Sequence, residues 1–311
     1  MAQQFDSIVI GVGAMGSAAV QQLAKRGQKV LGLEKFDIPH AEGSSHGVNR
    51  IIRLAYYEDT SYVPLLRRAY DLWSEIEQQA GEQLLYKTAS IDTSPSGHEV
   101  FEGALESCLE HDIPHEVLNH QQINERFPGY ELPSGHMGLL QLDGGFVLSE
   151  RAIVAFVNSA VAEGAEIHAR ESVLKWEPEG QGVRVFTDRA EYTAGRLVIT
   201  AGAWAGGLVP SLEELAVPER QVLAWIQPED PSLFSPEVFP VFNAYFDEGR
   251  YYGFPVFGIP GFKIGRYHHL EEVVDPDHMP HEVTLEDEEI LRAAAAKYFP
   301  KANGTLMTLK T

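Results

Sequence analysis

FDSIVIGVGAMGSAAVQQLAKRGQKVLGLEKF, residues 5–36, decides the fold. The apolar run Ile8–Ile10 is short and bounded by Gly11, as a buried parallel strand should be. Gly11-Val12-Gly13-Ala14-Met15-Gly16 then fits the pattern G-x-G-x-x-G. Ala14 to Ala24 is rich in good helix formers and ends near Gly27, a residue suited to a C-terminal cap. Val30 to Leu33 reads as a second strand, and Glu34 stands at its end, twenty-three positions after Gly11. A glycine triplet alone is a weak signal; a strand before it, a helix after it and an acid at this distance make it strong. Gly11 permits the tight turn, Gly13 lets the backbone approach a pyrophosphate, and Gly16 lets helix pack on strand. Ala14 and Met15 open the helix, whose unpaired N–H groups and positive dipole end suit phosphates. Glu34 is placed to accept hydrogen bonds from a ribose, and its charge disfavours a 2′-phosphate. The segment is expected to bind a dinucleotide.

The rest of the chain is consistent with an ordinary globular protein. Its 311 residues are 44% hydrophobic and 22% charged, enough for one large domain or two joined ones. Twenty-four basic residues against 45 acidic ones leave a net charge of −21, which argues against a nucleic-acid partner. Cys108 is the only cysteine, so no intrachain disulfide can form and a reducing compartment is expected. The opening MAQQFDSIVIGVG runs straight into a strand without a basic leader, and no stretch approaches the roughly 18 apolar residues of a membrane span. The expectation is a cytoplasmic protein with no membrane partner. No His, Cys or carboxylate spacing suggests a metal site.

Helices are expected at Tyr62–Gln79, Glu99–His111, Arg151–Glu163 and Leu285–Phe299, with strands near Val173, Val183–Phe186 and Leu197–Ile199. Residues 218–270 change character, with Pro, Gly and aromatic residues in alternating runs that suit an antiparallel sheet. The fold class is therefore α/β: a Rossmann-type parallel-sheet domain carrying an inserted antiparallel-sheet substrate domain. The expected division is 1–83 with 146–217 for the dinucleotide, and 84–145 with 218–311 for the substrate.

LVITAGAWAGGL, residues 197–208, is a strand entering a second small-residue turn, Ala201-Gly202-Ala203-Trp204. Such a turn returning to the same nucleotide is typical of flavoproteins built on two dinucleotide folds. Together with GVGAMGSAAVQQLAKRG, FDIPHAEGSSHGVNRIIRLAYYEDTSYVPL, GGFVLSERAI, RYYGFPVFG, GFKIGRYHH and KYFPKANG, it resembles the monomeric sarcosine oxidase and N-methyltryptophan oxidase family of FAD-dependent amine oxidases. The segments occur in order over nearly the whole chain.

The resemblance implies bound FAD held by Gly11, Gly13, Ala14, Met15, Gly16, Glu34, Lys35, Gly43, Ser44, His46, Arg50, Val173, Ala201, Gly202 and Trp204. It implies that Arg53 holds the substrate carboxylate, that Lys263 activates molecular oxygen, and that Arg50 and Tyr252 line the reaction site. A guanidinium can grip a carboxylate with two parallel bonds, and an i, i+3 spacing could put Arg50 and Arg53 on one side of a helical turn. The competing reading makes the arginines surface partners of Glu58 or Asp59. The family has a histidine four residues beyond the lysine. Here that position is Tyr267, so either Tyr267 substitutes or a bulge restores His268 to the pocket.

The implied reaction is oxidation of a secondary amino acid such as sarcosine by oxygen, in a monomer, giving the demethylated amino acid, formaldehyde and hydrogen peroxide. N-methyltryptophan or a pipecolate-type imino acid are rival substrates. The sequence stops at Thr311, where the family continues with a flavin-linking cysteine, a glycine-rich segment and a lysine. A fragment, or a protein that has lost this tail, is therefore expected, and covalent flavin attachment is not. A pyridine-nucleotide dehydrogenase and an inactive flavoprotein scaffold are the alternatives outside this class.

Overall fold

A computed structural model describes residues 3–311, which separate into two compact units. The first contains residues up to 49, 74–84 and 148–218; the second contains 50–73, 85–147 and 219–311.

The first unit is organised around a six-stranded sheet. Gln3–Ile10 lies at its centre, parallel to Glu191–Ile199 on one side and to Val30–Leu33 on the other, with Glu166–His168 parallel beyond it. Val173–Glu179 and Gly182–Thr187 extend the Glu191 edge as an antiparallel meander. Val30–Leu33 is buried throughout, as expected of a strand covered on both faces. Helices Ala14–Lys25 and Ser149–Ala162 pack together in this unit, where Val9, Val20, Ala24, Val30, Ala160 and Ala165 form a core.

The second unit is built on an eight-stranded sheet in the order Leu306–Lys310, Leu223–Ile226, Phe262–Arg266, Gly249–Phe254, Val241–Phe246, Ser90–Pro95, His136–Gln141, Glu116–Asn119. Every neighbouring pair is antiparallel except Val241–Phe246 beside Ser90–Pro95. Successive side chains of a strand alternate between faces, so the register separates the residues into two sets. Ile91, Phe242, Ile264 and Ala224 form one cross-strand row and pack with Leu291, Ala294, Ala295 and Tyr298 of helix Leu285–Tyr298. This is the larger core, and burying each of its phenylalanines contributes about 1.5–3 kcal/mol. The opposite face carries the polar row Asp92, Asn243, Tyr252 and Gly265.

Residues 50–73, expected with the dinucleotide half, group instead with the second unit. Strand Asn49–Ile52 belongs to a three-stranded sheet with Gly145–Leu148 and Leu85–Lys87. Gln141 Oε1 further accepts the amides of Leu54 at 2.9 Å and Ala55 at 3.3 Å. These pairings outweigh proximity in sequence.

Candidate active site

The glycine turn of the first unit is stitched to the second small-residue turn. Gly11 donates to Leu33 O at 2.8 Å, and Thr200 Oγ1 donates to Gly11 O at 2.7 Å. Gly11 has φ +87°, a conformation that favours glycine. Helix Ala14–Lys25 starts at Gly13 with no side-chain cap and no acidic residue in its first turn, which leaves its positive end suited to an anion. A Cβ placed on Gly13 would meet only Ser45 Oγ, at 3.5 Å, so this side of the turn is open. Glu34 is buried, and its two oxygens accept the amides of Val12 at 2.8 Å and Phe36 at 3.0 Å. Each oxygen keeps a lone pair for a ribose hydroxyl. The open glycine, the uncapped helix and the fixed acid fit a dinucleotide.

The same unit places the neighbouring expected residues. Ala14 N donates to Ser45 Oγ at 3.2 Å, which ties the Gly43–His46 segment to the helix start. Lys35 Nζ lies 5.3 Å from the Trp204 ring, which packs on Phe36 at 5.3 Å. Met15 is exposed, and Val173 is a half-buried residue against the core of Phe5, Ile8 and Val185.

In the second unit, Lys263, Trp225 and Phe254 are register partners on the polar face of the sheet. Lys263 is only 2% exposed, and its Nζ stands 4.1 Å from the Phe254 ring centre and 5.5 Å from that of Trp225. Tyr252 occupies the adjacent row, where Gly265 leaves room for its ring: a Cβ there would lie 2.7 Å from the Tyr252 hydroxyl. Burial pushes the Tyr252 hydroxyl up to about 12, against the pull of Arg50.

Arg50 and Arg53 do not share a helical turn. Arg50 is in strand Asn49–Ile52 and Arg53 follows it, and in extended backbone residues three apart face opposite ways. Arg53 is buried at 5% exposure beside Asp92, with Nε 3.4 Å from Asp92 Oδ1, and its guanidinium lies 4.3 Å from the Tyr56 ring centre. Its Nη2 is 3.5 Å from Glu58 Oε2, so the expected surface partner is present but the arginine is not a surface residue. Burial would lower the Arg53 pKa, yet Asp92, with smaller contributions from Tyr267, Tyr56 and Glu58, raises it. Burial pushes Asp92 up to about 6, against the pull of Arg53 and Asn243. Neither Nε nor Nη2 of Arg53 has a hydrogen-bond partner among the described residues. Buried donors of this kind call for a ligand acceptor.

Of the two alternatives, the structure brings Tyr267 and not His268 to the polar row. Tyr267 OH donates to Asn243 Oδ1 at 2.9 Å, Asn243 Nδ2 donates to Asp92 Oδ1 at 3.1 Å, and the Tyr252 and Tyr267 rings meet at 5.0 Å. His268 has φ +52°, its side chain is 72% exposed, and it pairs with Glu219 at 2.8 Å. The bulge that would have turned it inward does not form. Asp92, Asn243 and Arg250 are members of this cluster that the sequence reading missed. Asp92 sits in the mostly polar run SIDTS, whose burial only the fold reveals.

Cys108 lies in helix Glu99–Glu110, whose buried stripe is Val100, Phe101, Ala104, Ser107 and Cys108, while Leu109 is exposed. Burial pushes the thiol up to about 12. Thiol reagents are therefore expected to label native protein at least about 100 times more slowly than unfolded protein. Mass spectrometry of denatured protein should show no flavin adduct. Rapid native labelling or such an adduct would overturn this placement. Among the described residues no group of three His, Cys, Asp or Glu is placed to hold a metal ion, and no helix is long and apolar enough to cross a membrane.

Comparison with known proteins agrees with this geometry. The chain is 38% identical over 312 residues to a monomeric sarcosine oxidase of Bacillus sp. strain B-0618, covering 98% of this chain and 80% of that protein. A monomeric sarcosine oxidase of Streptomyces avermitilis is 42% identical over 260 residues, covering 82% of this chain and 67% of its own length. N-methyl-L-tryptophan oxidase of Yersinia pestis is 34% identical over 265 residues, 85% of this chain and 70% of that protein. Among solved structures, NikD, described as an unusual amino acid oxidase, superposes with a TM-score of 0.82 at 24% identity over 99% of this chain and 81% of its own. L-proline dehydrogenase from P. horikoshii gives 0.80 at 20% identity over all of this chain and 81% of its own, a likeness of fold. The profile of the DAO family, FAD dependent oxidoreductase, matches residues 6–309, and the chain belongs to that family.

Proposed function

We propose that the protein oxidises N-methyl amino acids, with sarcosine as the type substrate, using FAD and molecular oxygen. The observation that carries this reading is Arg53: a guanidinium at 5% exposure whose Nε and Nη2 donors have no hydrogen-bond partner among the described residues. A small carboxylate satisfies such a pair through two parallel charge-assisted bonds. The sarcosine oxidase relatives supply the reaction class.

We assign the first unit to FAD and the second to the substrate. Gly11, Gly13, Ala14, Met15 and Gly16 would hold the pyrophosphate, Glu34 the adenosine ribose, and Lys35, Gly43, Ser44, His46, Val173, Ala201, Gly202 and Trp204 the remainder. When bound, FAD supplies a two-electron acceptor for the N-methyl carbon and passes the electrons to oxygen, so that sarcosine, water and oxygen become glycine, formaldehyde and hydrogen peroxide. Arg53 orients the carboxylate, Tyr56 and Tyr252 border the reacting end, and Tyr267 holds Asn243 and through it Asp92. Lys263 keeps a buried cation available to the negative charge developing on oxygen. Cys108, a lone and buried thiol, supports placing the enzyme in the cytoplasm, and the relatives' printed names support a monomer.

Anaerobic mixing of FAD-loaded protein with sarcosine is expected to bleach the flavin absorbance; a spectrum unchanged by any N-methyl amino acid would reject the reading. The relatives named N-methyl-L-tryptophan oxidase support a second substrate, and N-methyl-L-tryptophan in the same experiment separates the two. Glu34→Ala is expected to weaken FAD retention about 5- to 100-fold, and to reduce stability because the Val12 and Phe36 amides lose their acceptor. Equilibrium dialysis against FAD measures it. Retention equal to the unmodified protein would show that Glu34 does not contact the ribose.

A further inference from the structure

We propose that Arg250 is the second arm of the substrate-carboxylate site, closing with Arg53 on the place that Glu58 now fills. This rests on the amine-oxidase reading and names a specificity residue within it. The Glu58 carboxylate is bracketed by two guanidinium groups: Oε2 lies 3.5 Å from Arg53 Nη2 and Oε1 lies 3.6 Å from Arg250 Nη2. Both distances exceed hydrogen-bond length. Arg53 Nε and Nη2 and Arg250 Nε have no hydrogen-bond partner among the described residues. A carboxylate therefore stands between two arginines without satisfying them.

The arginines are held more firmly than the acid. Arg250 is stacked between Tyr57 and Tyr267, with its guanidinium carbon 4.3 Å and 3.9 Å from the two ring centres. Tyr267 is itself anchored on Asn243. Asp92 is 1% exposed and hydrogen-bonded to Asn243, whereas the Glu58 side chain is 39% exposed. Two cations thus face two anions, one anion fixed and one free to leave. A substrate carboxylate that replaces Glu58 keeps the cluster neutral and gives the arginine donors the acceptors they lack. The site then selects N-methyl compounds bearing a free carboxylate and disfavours their amides.

The test uses FAD-loaded protein and methoxyacetate, which has the shape of sarcosine with an ether oxygen in place of the amine and resists oxidation. Its binding is read as a shift in melting temperature, and turnover is measured with sarcosine and sarcosinamide. Arg250→Met should weaken methoxyacetate binding and raise the sarcosine KM about 10- to 100-fold, with kcat little changed and sarcosinamide kinetics unaffected. Arg250→Lys, which keeps the charge but loses the planar fork, should fall between. Glu58→Gln should tighten methoxyacetate binding about two- to fivefold by removing the internal competitor. Unchanged methoxyacetate binding in Arg250→Met overturns the proposal. Should that variant not fold, unchanged or weaker binding in Glu58→Gln overturns it. If the unmodified protein binds methoxyacetate through Arg250 but oxidises no N-methyl amino acid, the two-armed site stands and the oxidase reading falls.

Discussion

Lys263→Met is expected to slow reoxidation of the reduced enzyme by oxygen about 100- to 1,000-fold, while reduction by substrate changes less than about tenfold. Lys263 is buried at 2% exposure, and its ammonium lies over the faces of Phe254 and Trp225. Aromatic faces stabilise a cation. The ammonium is therefore placed where it can act on an electron-rich neighbour. Electron transfer to oxygen creates negative charge, and a preorganised cation in a low-dielectric site lowers that barrier strongly. Methionine preserves most of the side-chain length and fills the same apolar slot, so packing against Phe254 and Trp225 is kept. Stopped-flow measurement of the two half-reactions decides the matter. Equal slowing of both would make Lys263 a packing or substrate residue.

The part of this molecule that could be read from sequence is the part whose physics is local. Residues 5–36 contain a strand, turn, helix and strand in immediate succession, and each glycine has its reason within that span. The helices at Tyr62–Ala80, Glu99–Glu110, Ser149–Ala162 and Leu285–Tyr298 followed from periodicity to within two residues at either end. The polar row of the second unit was not legible. Asp92 and Asn243 are 151 positions apart and meet because Ser90–Pro95 and Val241–Phe246 pair in parallel, a register that neither strand encodes alone. The i, i+3 spacing of Arg50 and Arg53 allowed a helical turn, but Arg50 lies in a strand, because pairing in the three-stranded sheet overrides local preference. The His268 alternative failed for a similar reason. Its positive φ turns the chain at the strand end, so alternation beyond Arg266 ceased to govern which side chain faces inward.

Gly13→Ala and Gly16→Ala are expected to fail in different ways, and the contrast separates a folding role from a binding role. A Cβ on Gly16 would stand 1.7 Å from Gly11 O and 2.7 Å from Thr200 Oγ1. The first is backbone, and its peptide is already fixed by the Thr200 hydroxyl and by the pairing of Gly11 N with Leu33 O. No side chain can rotate aside, so the helix must move off the central strand. The helix carries Val20 and Ala24 into the core with Val9 and Val30, and moving it opens those contacts. The expected cost is about 2–4 kcal/mol, a large fraction of the roughly 5–15 kcal/mol by which native proteins are stable. Gly13 is the opposite case: an added Cβ meets only Ser45 Oγ at 3.5 Å, an ordinary contact, and the residue's φ of −76° suits alanine. Gly13→Ala should therefore melt within about 1 kcal/mol of the unmodified protein in the absence of FAD. The methyl group then projects into the open side of the turn, where the pyrophosphate must approach the backbone, and FAD affinity should fall at least about 100-fold. Denaturant unfolding of the apoproteins, paired with FAD titration, measures both quantities. A Gly13→Ala protein that folds and binds FAD normally would move the pyrophosphate away from this turn. A Gly16→Ala protein of unchanged stability would mean that the helix is less tightly seated on the strand than the 1.7 Å contact requires.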